Sequence, residues 1–172
     1  LPNISLSESN FQKTVFDGID LSGKDLGHTS FWYASFKNTN LENVDLIYAD
    51  LMKTDLTKIK NKSLAGADLE FTSFFLANLS GVDLSGVILG GTNFWKADLS
   101  GQDFTVISHS NLGEPMAWGT IFVEANLSNS NFEGVDLGAY VATLHIEDAA
   151  HLKNLEGQEL LDNIFPVQNT NK

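Results

Sequence analysis

Every fifth residue from Leu6 to Leu56 is Leu or Phe: Leu6, Phe11, Phe16, Leu21, Leu26, Phe31, Phe36, Leu41, Leu46, Leu51 and Leu56. Five is neither the 3.6-residue period of a helix nor the two-residue period of a strand. The unit is therefore a short extended piece followed by a corner. A chain that repeats such a unit winds into a solenoid and buries its core by stacking coil on coil. With 172 residues, one domain is expected.

Taking the Leu/Phe position as i, position i−2 holds mostly small or β-branched residues, such as Thr14, Ile19, Thr29, Ala34, Thr39, Val44, Ala49 and Thr54. Positions i and i−2 alternate inward as in a strand, so each unit gives the core one large and one small side chain. Position i−1 is rich in Asp and Asn (Asn10, Asp20, Asp25, Asn40, Asp45, Asp50, Asp55), whose short side chains bond the backbone of an adjacent turn. Gly is frequent at i+2 (Gly18, Gly23, Gly66, Gly81, Gly86, Gly101), where a turn uses its conformational freedom.

The units Ala49-Asp50-Leu51, Ala67-Asp68-Leu69, Ala77-Asn78-Leu79, Ala97-Asp98-Leu99 and Ala125-Asn126-Leu127 resemble the A-(D/N)-L-x-x motif of pentapeptide-repeat proteins, over residues 4 to about 142. The resemblance implies an all-β fold, a right-handed quadrilateral β-helix with four pentapeptides per coil. The register slips twice by eight residues, from Leu56 to Leu64 and from Phe104 to Leu112. Each slip reads as one pentapeptide plus a three-residue bulge, near 57–63 and 105–111. The centres then continue through Leu69, Phe74, Leu79, Leu84, Leu89, Phe94 and Leu99, and after the second slip through Ala117, Phe122, Leu127, Phe132, Leu137 and Ala142. That makes about seven coils, a rod of roughly 30–35 Å at a coil spacing of ~4.8 Å.

Residues 1–143 are thus assigned to the solenoid. Its ends need caps, because they expose backbone and core. Over 144–165 the period of five gives way to helix-like spacings of Leu152, Leu155, Leu160, Leu161, Ile164 and Phe165, with a break at Gly157. A short α-helical cap is expected there, followed by a flexible tail at 166–172.

Net charge is −12, and the chain has no Arg and no Cys. The charge argues against direct nucleic-acid binding, and the absence of Cys excludes disulfides and thiolate chemistry. No apolar run is long enough for a membrane span. A start at Leu1 without Met fits a cleaved leader or a trimmed terminus, so cytoplasmic and exported locations both stay open.

Four histidines (His28, His109, His145, His151) are scattered, and nothing in the repeat builds the pocket a nucleophile and base would need at Ser108-His109-Ser110. No enzyme activity, cofactor or metal is expected. His145, Asp148 and His151 have ligand chemistry but irregular spacing. Asp25, Asp45 and Asp68 align on one side, where each carboxylate is expected to bond its own corner amides rather than Ca²⁺.

The strongest functional signal is aromatic. Counting coils through both bulges, the outward i+1 residues of one column are Gln12, Trp32, Met52, Phe75, Trp95 and Trp118, which gathers all three tryptophans. Tyr33, Tyr48, Phe71 and Leu76 flank it, and Ile47 widens it. Such a column is either a contact surface, the favoured reading, or a self-stacked ladder that stiffens the rod. A second candidate is the basic loop Lys58, Lys60 and Lys62, with Lys53 nearby, suited to an acidic partner.

The expected function is a non-enzymatic rigid β-helical scaffold or protein–protein interaction module, with an unidentified protein or a second copy as partner. The resemblance carries two alternatives. One is an acidic DNA mimic binding a type II topoisomerase (gyrase), as some bacterial members do. The other is a lumenal or periplasmic structural protein of a photosynthetic organism.

Overall fold

A computed structural model describes residues 5–106, 120–122 and 124–131. The chain is held in register by isolated parallel bridges between i−1 residues one coil apart. They run twenty residues on from Asn10 to Ser30, Val15 to Ser35, Asp20 to Asn40 and Asp25 to Asp45. A step of twenty takes in four five-residue units. Among the described residues no bridge extends into a continuous strand and no α-helix forms; three 3-10 turns are the only helical pieces. The reason is local, since a corner every five residues leaves one residue per side in bridging geometry.

Each coil is tied to the next by a repeating set of backbone bonds. The Phe31 N–H donates to the Asp50 carbonyl at 2.7 Å, and the Ser30 N–H donates back to Ser9 at 3.0 Å. Most corners close by a bond from i+3 to i, as from the Ala34 N–H to the Phe31 carbonyl at 2.7 Å. The third residue of the corner takes a left-handed φ, as in Gly18 (+74°) and Tyr33 (+58°), which a type II turn demands.

The i residues fill the core, with Leu21, Leu26, Phe31, Leu51, Phe74, Phe94 and Leu99 fully buried. In one column Phe74 stacks on Phe94 at 5.2 Å and Phe94 on Phe122 at 5.6 Å. Burying each such ring contributes about 2–3 kcal/mol. Most of the i−2 threonines are buried too, and several of their hydroxyls join successive coils. Thr39 Oγ1 donates to the Phe16 carbonyl at 2.7 Å, Thr72 to Leu46 at 2.7 Å and Thr92 to Leu69 at 2.7 Å.

The first slip adds three residues, so that Asp45 bridges Asp68. Two 3-10 turns, Leu56–Lys58 and Lys60–Lys62, take up the extra length, and Ile59 between them enters the core at 4% exposure. At the second slip the structure corrects the sequence reading. Asn93 bridges Ile121, Asp98 bridges Asn126 and Asp103 bridges Asn131, a step of 28, so eight residues are inserted rather than three. Phe122, not Ala117, therefore lies on Phe94. The expected helical cap at 144–165 and the tail at 166–172 lie outside the described residues.

Candidate aromatic interaction corner

The coil register aligns Gln12, Trp32, Met52, Phe75 and Trp95. Lys13 N–H donates to the Trp32 carbonyl at 2.8 Å, Tyr33 to Met52 at 3.2 Å, Lys53 to Phe75 at 3.0 Å and Leu76 to Trp95 at 3.1 Å. Trp118 lies outside the described residues, and the 28-residue step removes the count that put it in this column.

Within the column the side chains partly cover one another. The Phe75 and Trp95 rings are 5.1 Å apart and tilted by 46°, and Trp32 meets Tyr33 at 5.3 Å and 43°. Trp32, Met52 and Phe75 are half-buried, whereas Trp95 is 41%, Tyr33 49% and Leu76 42% exposed. Trp32 Nε1 is buried with no hydrogen-bond partner. Tyr48 and Phe71 belong to the preceding corner. There His28, Tyr48 and Phe71 form a true stack, at 4.9 Å and 17° and then 4.6 Å and 6°. The stack abuts Gly91, where an added Cβ would lie 2.6 Å from the Phe71 ring.

Two lysines complete the corner. Lys53 Nζ lies 6.0 Å above the Trp32 ring and 5.3 Å above that of Tyr33; Lys96 Nζ lies 5.4 Å above Trp95 and pairs with Glu124 at 3.1 Å. Cation–π contact of this kind favours both partners. Reading only Gly at i+2 hid Lys96 and left Lys53 with the basic loop, although the same count that aligns Trp32 with Met52 aligns Lys13, Tyr33, Lys53, Leu76 and Lys96 beside them.

The basic loop is divided by the structure. Lys58 pairs with Asp55 at 2.8 Å. The Asp55 carboxyl is held below its ordinary pKa: burial pushes it up, but bonds from Lys58 and Thr57 outweigh that, and Lys58 is raised in turn by Asp55. Lys60 and Lys62 are exposed. A groove of about 220 Å³ between the loop and the aromatic corner is lined by Ser35, Lys37, Lys53, Asp55 and Lys58, among others.

Asp25, Asp45 and Asp68 do line up by successive bridges. Each accepts the amide two residues on, Gly27 at 3.0 Å, Ile47 at 2.9 Å and Glu70 at 3.1 Å, so the carboxylates close corners. Among the described residues no group of three or more His, Asp or Glu is placed to hold a metal ion, and no helix is long and apolar enough to cross a membrane. Ser108, His109, Ser110, His145, Asp148 and His151 lie outside the described residues.

A family model for pentapeptide repeats matches eight copies, over residues 25–57, 63–91 and 108–138, more than half of the chain. Among solved structures the chain is similar to HetL, a pentapeptide repeat protein involved in heterocyst differentiation regulation from the cyanobacterium Nostoc sp. strain PCC 7120. Identity is 20% over 74% of this chain and 57% of HetL, with a TM-score of 0.50. It is also similar to QnrB1, a plasmid-mediated fluoroquinolone resistance protein, at 18% identity over 76% of this chain and 69% of QnrB1, with a TM-score of 0.34. A pentapeptide repeat protein from the Arabidopsis thaliana thylakoid lumen matches at 18% identity over 76% of this chain and 69% of its own, with a TM-score of 0.20. No curated protein matches the chain. The chain spans little more than half the length of HetL, and at this identity the likeness concerns the fold alone. By its repeats and by the family match, the chain belongs to the pentapeptide-repeat family.

Proposed function

We propose that the chain is a non-enzymatic, rigid β-helical scaffold that binds another protein through the corner formed by Trp32, Met52, Phe75 and Trp95. The carrying observation is that this corner of a chain with net charge −12 leaves Tyr33, Leu76 and Trp95 between 41% and 49% exposed along successive coils. Large apolar groups gathered on one surface mark interaction sites. Self-stacking stiffens the column without closing it over. Rigidity follows from the inter-coil backbone bonds and buried threonine hydroxyls, which leave little ordering cost to binding.

A four-sided section, supported by the twenty-residue bridging step, belongs to the same reading, as do a right-handed turn, a length of about seven coils and a helical end cap over 144–165. Replacing Trp95 and Phe75 by Ser tests the function. Loss of a partner captured by the wild type, or of a dimer seen by light scattering, is expected; an unchanged monomer with unchanged partners removes the proposal.

A second reading, the acidic DNA mimic, is favoured by the carboxylate rows Asp25–Asp45–Asp68 and Asp20, Asp83 and Asp103 on the two sides away from this corner. A gyrase supercoiling assay separates the two, since only the mimic inhibits the enzyme or protects it from quinolones.

A further inference from the structure

The corners of the solenoid differ in what they place at left-handed φ. Two of them hold residues that enter that region easily, with Gly18, Asn38, Gly81 and Gly101 on one and Gly23, Asn43, Gly66 and Gly86 on the next. The other two hold mostly bulky side chains, at φ of 54–58°: Lys13, Tyr33, Lys53, Leu76, Lys96 and Glu124 on the aromatic corner, and Glu8, His28, Tyr48 and Phe71 on the corner before it, where Gly91 is the one glycine. Strain of this kind persists where a side chain is needed in place. The side between these two strained corners presents Asn10, Ser30, Asp50, Ser73 and Asn93 at i−1, so it carries one carboxylate where the Asp25–Asp45–Asp68 side carries three. The groove lined by Lys37, Lys53, Lys58 and Asp55 flanks the same aromatic corner on its other side; Lys58 is paired with Asp55 there, which leaves Lys37 and Lys53 to meet an anion, and Lys53 belongs to both groove and corner.

We propose that this corner takes an acidic segment of a partner protein, one carboxylate entering the groove between Lys37 and Lys53 while the neighbouring apolar side chains lie along Met52, Phe75 and Trp95. The inference deepens the contact reading and depends on it. The chemistry is complementary on both counts, because ammonium groups bordering rings accept an anion next to an apolar contact. The carboxylate rows on the other sides repel the same segment, which fixes where it lands. A second copy docking corner to corner would set lysine against lysine and is disfavoured.

Fluorescence anisotropy with two labelled twelve-residue peptides, one alternating Glu and Tyr and the other Lys and Tyr, tests this. The Glu–Tyr peptide should bind saturably, weaken at high salt, and lose at least tenfold in affinity with Lys37→Gln/Lys53→Gln. The control Lys60→Gln/Lys62→Gln, with the same change in net charge, should bind as the wild type does. Equal binding of both peptides, or equal weakening by the two lysine pairs, overturns the acidic-segment inference. If Trp95→Ser still abolishes binding in that case, the contact reading survives; if Trp95→Ser changes nothing, the contact reading itself fails. Sedimentation of the protein alone adds one more outcome: a dimer dissolved by Trp95→Ser assigns the corner to a second copy and overturns the proposal.

Discussion

Gly81→Ala and Gly91→Ala separate the two demands that a corner makes. Gly81 has a φ of +64° and nothing within 4 Å of an added Cβ, so the substitution meets only the backbone preference. A left-handed L residue costs about 1–2 kcal/mol, and the stiffer unfolded chain returns about 0.4–1 kcal/mol, leaving a net loss of about 1 kcal/mol. Gly91 has a φ of +70°, and there the new Cβ would lie 2.6 Å from the Phe71 ring. Phe71 must move off Tyr48, forfeiting an aromatic pair of about 0.5–1.5 kcal/mol, for a total near 2 kcal/mol. The reverse change, Lys13→Gly at an exposed corner with φ +58°, should raise stability by about the amount that Gly81→Ala lowers it. Urea titration followed by circular dichroism reports each as a shift in midpoint at constant slope. Equal costs at Gly81 and Gly91, or a loss on Lys13→Gly, would refute the strain assignment.

Three further predictions concern the rod itself. Thr72→Val removes a buried hydroxyl bond to the Leu46 carbonyl, which keeps its bond from the Ala49 N–H at 2.8 Å; a loss of about 1 kcal/mol by urea titration is expected, and none would mean the hydroxyls do not staple the coils. Trp32→Phe discards a buried N–H that has no partner, so stability should hold or rise, and a drop beyond about 1 kcal/mol would contradict the unmet bond. Asp55 is lowered and Lys58 raised by their pairing. The Asp55 contribution is therefore present above the ordinary carboxylate pKa and lost as pH falls through the lowered folded value. That of Lys58 is present below the ordinary lysine pKa and lost as pH rises through the raised folded value. Asp55→Asn should flatten both limbs of a stability–pH profile, and an unaltered profile would show the pair to be inert.

The core was legible because the ladder from Leu6 to Leu56 has one member per unit, and every member from Phe16 on is also a buried residue, with Leu6 and Phe11 partly buried at the open end. The Asp25–Asp45–Asp68 row was legible for the same reason, along with its corner bonds. The second insertion was not. Steps of eight and of thirteen residues leave the same remainder on division by five, so Leu112 and Ala117 fit the repeat whether three or eight residues are inserted, and the column shifts by one side. The pairings of Asn93 with Ile121, Asp98 with Asn126 and Asp103 with Asn131 decide it. Lys96 was missed, and Lys53 was grouped with the basic loop, for a chemical reason. Gly at i+2 advertises a turn, whereas Lys, Tyr and Leu there disguise the same left-handed corner, and their stacking on Trp32 and Trp95 depends on side-chain reach that no period encodes.

The central claim, that the corner at Met52, Phe75 and Trp95 is the contact surface, is tested most directly by photocrosslinking from within it. Benzoylphenylalanine is placed at position 95 or, as reference, at position 85 on the glycine-lined corner, and each protein is irradiated in extract of its native cell. A discrete adduct from position 95 that is absent from position 85 is the expected result. Adducts from position 85 alone, or none from position 95 while the partner still co-purifies, would contradict it.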